Sequence, residues 1–299
     1  MESATPLVSV VALCYQHEAF VREALRSVIE QTYPAVELIV VDDASTDGSV
    51  AVIRSFLEEH RLADRVKTCL LPRNVGNCAA FNRGLARAQG KYVVDLATDD
   101  VMLPDRLAQQ VAFFEQLDDT YGVIFSEAQY VDERGTPLHY HHRDRLKHIR
   151  PVPTGDIYAR VLSTYFIATP TMMMRRRVLD ELGGYDEALA YEDFDFWVRS
   201  SRRYRYAYQD VCTTHIRKHP RSMSTGWYRR GDPQLHSTYR VCLKAKELNR
   251  TEEERRALAK RLRYELRQAV GGRNWREVRL LWDLWRGLRR MPVRDKQLV

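Results

Sequence analysis

Several features that mark secreted, membrane-spanning and zinc-bound chains are missing from this sequence. Its five cysteines, Cys14, Cys69, Cys78, Cys212 and Cys242, are odd in number, widely separated and without a Cys-x-x-Cys pair. That spacing argues against a zinc ribbon and a complete disulfide framework, and it suits a reducing cytosol. The opening Met1-Glu2-Ser3 lacks the basic stretch of a secretory leader, and the apolar run from Leu7 to Tyr15 is about half a bilayer span, so neither secretion nor a transmembrane helix is expected. A basic stripe is absent from residues 1–234: residues 235–299 hold 18 Lys/Arg against 8 Asp/Glu, a balance of +10 in a chain of net charge +7, which leaves −3 for the rest. A nucleic-acid-binding catalytic domain would carry its own cationic surface, so no nucleic acid is expected as partner.

What is present is a full-sized core and a repeating pattern. At 299 residues and 44% hydrophobic content the chain can bury one large domain with an appendage. Leu7 to Leu13 reads as a strand, and Val21, Ala24, Leu25, Val28 and Ile29 follow at amphipathic-helix spacing. The alternation continues through a strand at 36–41, a helix carrying Val50, Ile53, Phe56 and Leu57, a strand at 66–71 and a small-residue helix at 77–88. A strand at 91–96 and a helix opened by Pro104 come next. Strands alternating with helices of this length predict an α/β fold with a mostly parallel, Rossmann-like sheet flanked by helices. After 121–126 the rhythm breaks into mixed structure, and from about 235 the composition becomes helical and charged, which gives a domain of residues 1–234 and a basic helical C-terminal extension of 235–299.

Ligands in such sheets bind beyond the carboxyl ends of the strands, and the second and fourth strands end there on Asp42-Asp43 and Asp99-Asp100. A carboxylate on the short loop after the second strand can pair with the imide N–H of a uracil-like base; the alternative is that both aspartates only organise the turn. Glu192-Asp193 precedes the aromatic helix of Phe194, Phe196 and Trp197, placing carboxylates at a helix entrance. The stretch 217–224 mixes cations with hydroxyls, a composition suited to a diphosphate clamp. His139, His141, His142 and His148 read as part of a solvated loop, because their spacing matches no closed metal site.

These pieces occur together with Gln31-Thr32-Tyr33, Ser45-Thr46-Asp47-Gly48-Ser49, Asn74-x-Gly76, Asn82-x-Gly84, Gly90-Lys91-Tyr92, Gly183-Gly184-Tyr185-Asp186 and His219-Pro220-x-Ser222-x-Ser224. The ordered set, over roughly residues 7–225, resembles family 2 inverting glycosyltransferases of GT-A fold. The resemblance implies bacterial polysaccharide biosynthesis: transfer of a sugar from a nucleotide-sugar, UDP-sugar favoured, to a glycan or lipid-linked glycan acceptor with inversion. By the same resemblance Asp193 is the general base. Cys14, Tyr15, Asp42, Asp43, Asn74, Gly76 and Asp99 stand on the donor-nucleotide side. Glu192, Arg199, Arg217, His219 and Ser222 stand on the diphosphate and acceptor side, and Asp99, Asp100 and His219 are the ligands of Mn2+ or Mg2+. The sequence departs from the fuller Asp-x-Asp-Asp element at Ala97, which leaves a second reading as a catalytically silent donor-binding or scaffolding protein. A nucleotidyltransferase ranks low, because Cys14-Tyr15-Gln16-His17 follows the first strand where a glycine-rich, cationic loop would stand.

In the extension, Asn274-Trp275-Arg276-Glu277 reads as a capped helix start. Trp275, Val278, Leu281, Trp282, Trp285 and Leu288 recur on one side, with arginines lining the rest. Two outcomes are open: an anionic membrane surface met through residues 274–290, with the chain cytoplasmic and peripheral on the inner face, or a helix docked on the catalytic domain or on a second subunit of an oligomer.

Overall fold

Val8–Cys14 (β1) is buried along its whole length, as expected of a strand covered on both faces. It pairs in parallel with Val36–Asp42 (β2) on one side and Tyr92–Ala97 (β4) on the other, and β2 pairs in parallel with Lys67–Leu70 (β3). The computed structural model describes residues 5–222 and 226–290. Met1–Ser3 and Ser224, named above, lie outside what is described, as do the side chains of Arg289 and Arg290 among the arginines of the extension.

The described residues form a nine-stranded sheet of order β3-β2-β1-β4-β8-β6-β9-β5, in which β5 is Val101–Met102, β6 Tyr121–Val131, β8 Met173–Arg175 and β9 Arg205–Arg217; β7, Pro137–Tyr140, pairs with β6. The first four strands are parallel, as the βα rhythm predicts. Beyond β4 the sheet is mixed, with β8 antiparallel to both β4 and β6, β5 antiparallel to β9, and β6 parallel to β9. The helices of this unit are α1 (Val21–Ile29), α2 (Ser49–Glu59), α3 (Asn77–Leu85), α4 (Arg106–Phe114) and α6 (Arg176–Leu182). Gly84 lets α3 lie close on the sheet: a Cβ there would stand 2.4 Å from Val11 Cγ1 and 3.0 Å from Val41 Cγ2.

The sequence pattern stops β6 at Ser126, yet the strand runs on to Val131 through Glu127, which is fully buried. Its Oε1 accepts from the backbone N–H of Ala128 (3.0 Å) and His142 (2.8 Å), and its Oε2 from that of Arg143 (2.9 Å). A buried charge is tolerated when it is hydrogen-bonded in this way. The segment that supplies two of these donors, His141–Arg145, is a π-helical turn in which His141 and His142 are buried, so the solvated-loop reading of the histidine cluster fails for those two residues.

The chain divides into two compact units. The first is 1–155, 167–187 and 204–219, which holds the sheet; the second is 156–166, 188–203 and 220–299. The second unit gathers α5 (Tyr158–Ser163), α7 (Asp193–Ser201), α8 (Pro233–Leu248), α9 (Glu252–Gly271) and α10 (Trp275–Arg290). A boundary at 235 would fall within α8. Asp232 caps α8, accepting from Gln234 N–H at 2.8 Å, and Thr251 with Glu254 forms a reciprocal capping box at the start of α9. Among the described residues no helix is long and apolar enough to cross a membrane.

Candidate active site

The site is assembled where β1, β2, β4 and β9 end. Asp42 closes β2 and turns back on its own loop, its carboxylate accepting from Ser45 N–H (2.9 Å) and Ser45 Oγ (2.6 Å). Asp43 reaches out instead and accepts from Val75 N–H (2.7 Å) and Gly76 N–H (2.9 Å) just ahead of α3. Gly76 holds φ +87°, which explains glycine at that corner. Asn74 Nδ2 lies 3.4 Å from Asp43 O, so Asp43, Asn74 and Gly76 form one local structure. Burial raises the Asp43 carboxyl above its ordinary value; the two backbone donors oppose that rise and the charge of Asp42 adds to it.

Ser45, Asp47 and Ser49 do more than start a helix. Their oxygens accept from the backbone N–H groups of Gln16 (Ser45 Oγ, 3.0 Å), His17 (Ser49 Oγ, 3.0 Å) and Glu18 (Asp47 Oδ2, 3.1 Å). The loop after β2 thus fixes the loop after β1. On that second loop Cys14 is buried at the end of β1, its carbonyl taking the N–H of Asp43 (2.9 Å), while Tyr15 is exposed.

The fixed loop carries His17 to the end of β4. His17 Nδ1 lies 2.9 Å from Thr98 Oγ1, and its Nε2 lies 3.9 Å from Asp99 Oδ2. From the end of β9, His219 Nε2 stands 3.0 Å from the same oxygen, with the Phe20 ring 5.0 Å from the His219 ring. One ligand atom from each of His17, Asp99 and His219 lies within 4.8 Å of the other two. Burial, opposed by the charge of Asp99, holds His17 below the ordinary imidazole value, which favours a neutral ring with a free lone pair. Burial would raise Asp99, but the hydrogen bond from His219 and the fields of the two imidazoles outweigh it, and the carboxyl is held below its ordinary value.

Asp100 and Arg217 behave differently from expectation. The Asp100 side chain leaves the cluster and accepts from Arg217 N–H at 2.9 Å. Burial, with the charge of Asp99 adding, pushes its carboxyl well above the ordinary range. Arg217 is buried and spends its guanidinium on the protein: Nε on Asp99 O (3.1 Å), NH1 on Asp132 O (3.2 Å) and Glu133 O (2.9 Å), and NH2 on Glu23 Oε2 (2.6 Å). It clamps two loops and helix α1 together, a task that takes up the donors expected to meet diphosphate.

In the second unit, Asp193 is the first residue of α7, with Glu192 at its N-cap, where the helix dipole favours a carboxylate. Arg199, expected on the diphosphate or acceptor side, instead binds the buried Asp195 (2.6 Å), which also accepts from Lys244 Nζ (2.6 Å) and so links α7 to α8. Ser222, half-buried, belongs to this unit as well. Sequence reasoning did not nominate His17 or Asp195. The signal for His17 lies in the hydroxyl-rich 45–49 segment, whose oxygens hold the loop that carries it.

The mixed sheet, its parallel half with acidic strand ends and the flanking helices define a GT-A-like α/β fold. Residues 9–183 match the model of glycosyl transferase family 2, and the chain belongs to that family. The matched stretch includes Asp43 and Asp99 and stops short of Asp193 and His219. Among relatives, a candidate teichuronic acid biosynthesis glycosyltransferase of Bacillus subtilis, TuaG, is 31% identical over 176 residues, 59% of this chain. The alignment spans 65% of TuaG. Two solved structures share the fold. S. aureus TarS 1–349 in complex with UDP-GlcNAc has a TM-score of 0.66 at 22% identity, covering 86% of this chain and 71% of that one. The mannosyltransferase PcManGT from Pyrobaculum calidifontis, in complex with GDP-Man and Mn2+, has a TM-score of 0.62 at 18% identity, covering 95% and 87%.

Proposed function

We propose that the chain transfers a sugar from a nucleoside-diphosphate sugar to a glycan or lipid-linked glycan acceptor on the cytoplasmic side, with inversion at the anomeric carbon. The observation that carries this reading is the His17–Asp99–His219 cluster at the strand ends of a family 2 chain, the end of the sheet that also carries Asp43. Relatives of the same fold were solved with UDP-GlcNAc and with GDP-Man and Mn2+, which supports a nucleotide-sugar donor and a divalent ion.

The donor set fits such an ion. Two imidazoles and one carboxylate converge, and the Nδ1 of His17 stands against Thr98 Oγ1, the kind of partner that orients a metal-ligating ring. Bound there, Mn2+ or Mg2+ would offset the negative charge of the departing diphosphate. His17, Asp99 and His219 would hold it, so that His17 supplies a donor where Ala97 cannot. Asp43 orients the base: each of its oxygens keeps a lone pair beyond the one given to Val75 or Gly76, and an imide N–H of uracil suits that acceptor. Asp193 takes the proton of the acceptor hydroxyl while that oxygen forms its bond to the anomeric carbon. The bond to the diphosphate oxygen breaks on the opposite face, and the product is inverted. The donor-binding and catalytic part is residues 1–234, with 235–299 as the basic extension.

Ala97 favours one alternative, a donor-binding protein without turnover. Hydrolysis and transfer assays with UDP-, GDP- and dTDP-sugars, with and without Mn2+, separate the two. Turnover that falls by about a hundredfold or more in Asp193→Asn supports the transferase. Donor binding without turnover across a broad acceptor panel supports the alternative.

A further inference from the structure

The extension helix α10 has two faces where the sequence pattern suggests one apolar side. Leu281, Leu284 and Leu288 are buried, and Arg255 NH1 donates to Leu288 O (3.0 Å), tying the end of α10 to α9. Asn274, expected to cap the helix, uses its side chain to bind Gly231 N–H (2.7 Å) and Arg229 O (3.1 Å), which pins the loop before it. The helix is therefore held on the second unit by its leucines and by both its ends.

The tryptophans do not share that fate. Trp275 is 64% exposed and Trp282 46% exposed. With Arg279 and Arg286, also exposed, they fall at i, i+4, i+7 and i+11, a single stripe turned away from the leucines. Arg276 is exposed beside the stripe, and Val270, at the end of α9, is exposed shortly before Trp275 in the chain. Large aromatic rings in water next to cations, on a helix already fixed in place, are costly to keep unless something covers them.

We propose that this outer stripe of α10 seats the protein on an anionic lipid surface. Tryptophan is favoured at the headgroup level, where its ring is buried and its N–H stays hydrated, and arginine reaches lipid phosphates from the same depth. The charge pattern selects lipid over a second copy of the chain. A two-fold pairing through this stripe would bring Arg279 and Arg286 of both copies into one small interface, a like-charge arrangement. Asp283 is the exposed acidic residue of the helix and lies to one side of the stripe. The helix is folded before contact, so no ordering cost opposes binding. The inference rests on the proposed function only for the advantage of meeting a lipid-linked acceptor; the surface itself is independent of the reaction.

Flotation of the full chain with vesicles tests it. Vesicles of phosphatidylcholine and phosphatidylglycerol in equal parts should carry the protein, whereas phosphatidylcholine alone should not. Replacing Arg279 and Arg286 together by serine should lower partitioning by roughly 25-fold, about fivefold per cation. The double variant Trp275→Ser, Trp282→Ser should abolish flotation, and the parent's tryptophan emission should shift to the blue with anionic vesicles only. All variants should keep the parent's circular dichroism and its donor hydrolysis, because the changed side chains are exposed; loss of hydrolysis in the parent itself would concern the reaction and not the surface. Equal recovery of the parent with both vesicle types, or undiminished flotation of the tryptophan variant, would overturn the inference. So would sedimentation showing a dimer that the tryptophan variant dissolves without any lipid binding by the parent.

Discussion

Glu127 and Asp99 each face a histidine within the sheet-bearing unit, Glu127 from the middle of β6 and Asp99 just past the end of β4. Glu127 is held by three backbone N–H groups before His142 Nδ1 is counted at 3.3 Å. Burial would raise it, but His142 and the backbone donors outweigh that, and its carboxyl is drawn down to about 2. Asp99 meets imidazoles instead: His219 at 3.0 Å, and His17 at 3.9 Å on the same oxygen. Backbone donors point along fixed bonds and make a closed, structural anion. Imidazole nitrogens carry lone pairs once neutral, and a carboxylate between two of them can hold a cation. The same pairing of carboxylate with histidine thus does structural work at Glu127 and, in the function proposed here, chemical work at Asp99.

The sharpest way to break this contrast is to neutralise each carboxylate. Asp99→Asn should lower turnover by about a thousandfold in a transfer assay while the thermal midpoint stays near the parent's. Glu127→Ala should do the reverse, costing about 3 kcal/mol in denaturant unfolding because buried N–H groups lose their acceptor, with activity per folded molecule little changed. Acid adds an independent check on Glu127. Its folded value is depressed, so the stability it contributes is fully present above the ordinary carboxylate value of 4.5 and is lost as pH falls through about 2. That loss amounts to about 3 kcal/mol, and in Glu127→Ala the corresponding part of the acid slope should vanish from unfolding curves. The smallest expected effects are at His17 and Thr98: His17→Ala should weaken Mn2+ binding by roughly tenfold in calorimetry, and Thr98→Val by less, since the latter only releases the ring's orientation.

Much of the fold was legible because it depends on local periodicity. The β1-α1-β2-α2-β3-α3-β4 alternation, the acidic strand ends and the helical extension each show in short windows. What escaped depended on partners far away in the chain. Glu127 reads as the end of a strand until the donors of His142 and Arg143 are seen. His17 reads as a loop residue until Ser45, Asp47 and Ser49, about 30 residues on, are found gripping the backbone of residues 16–18. Asp100 and Arg217 match expected positions in order, but the hydrogen bond between them, 117 residues apart, turns both toward the frame. In α10, apolar residues in a broad arc looked like one stripe, and only burial separates the three leucines from Trp275 and Trp282. Asp193 lies in the second unit, and its role as base is a matter for kinetics.

The central claim is that Asp99, with His17 and His219, forms the cation site. A Mn2+ titration followed by electron paramagnetic resonance, with UDP present, tests it directly. The account predicts one bound Mn2+ in the parent and in Glu127→Gln, and affinity reduced by roughly tenfold or more in Asp99→Asn. Parent-like Mn2+ binding by Asp99→Asn would contradict it.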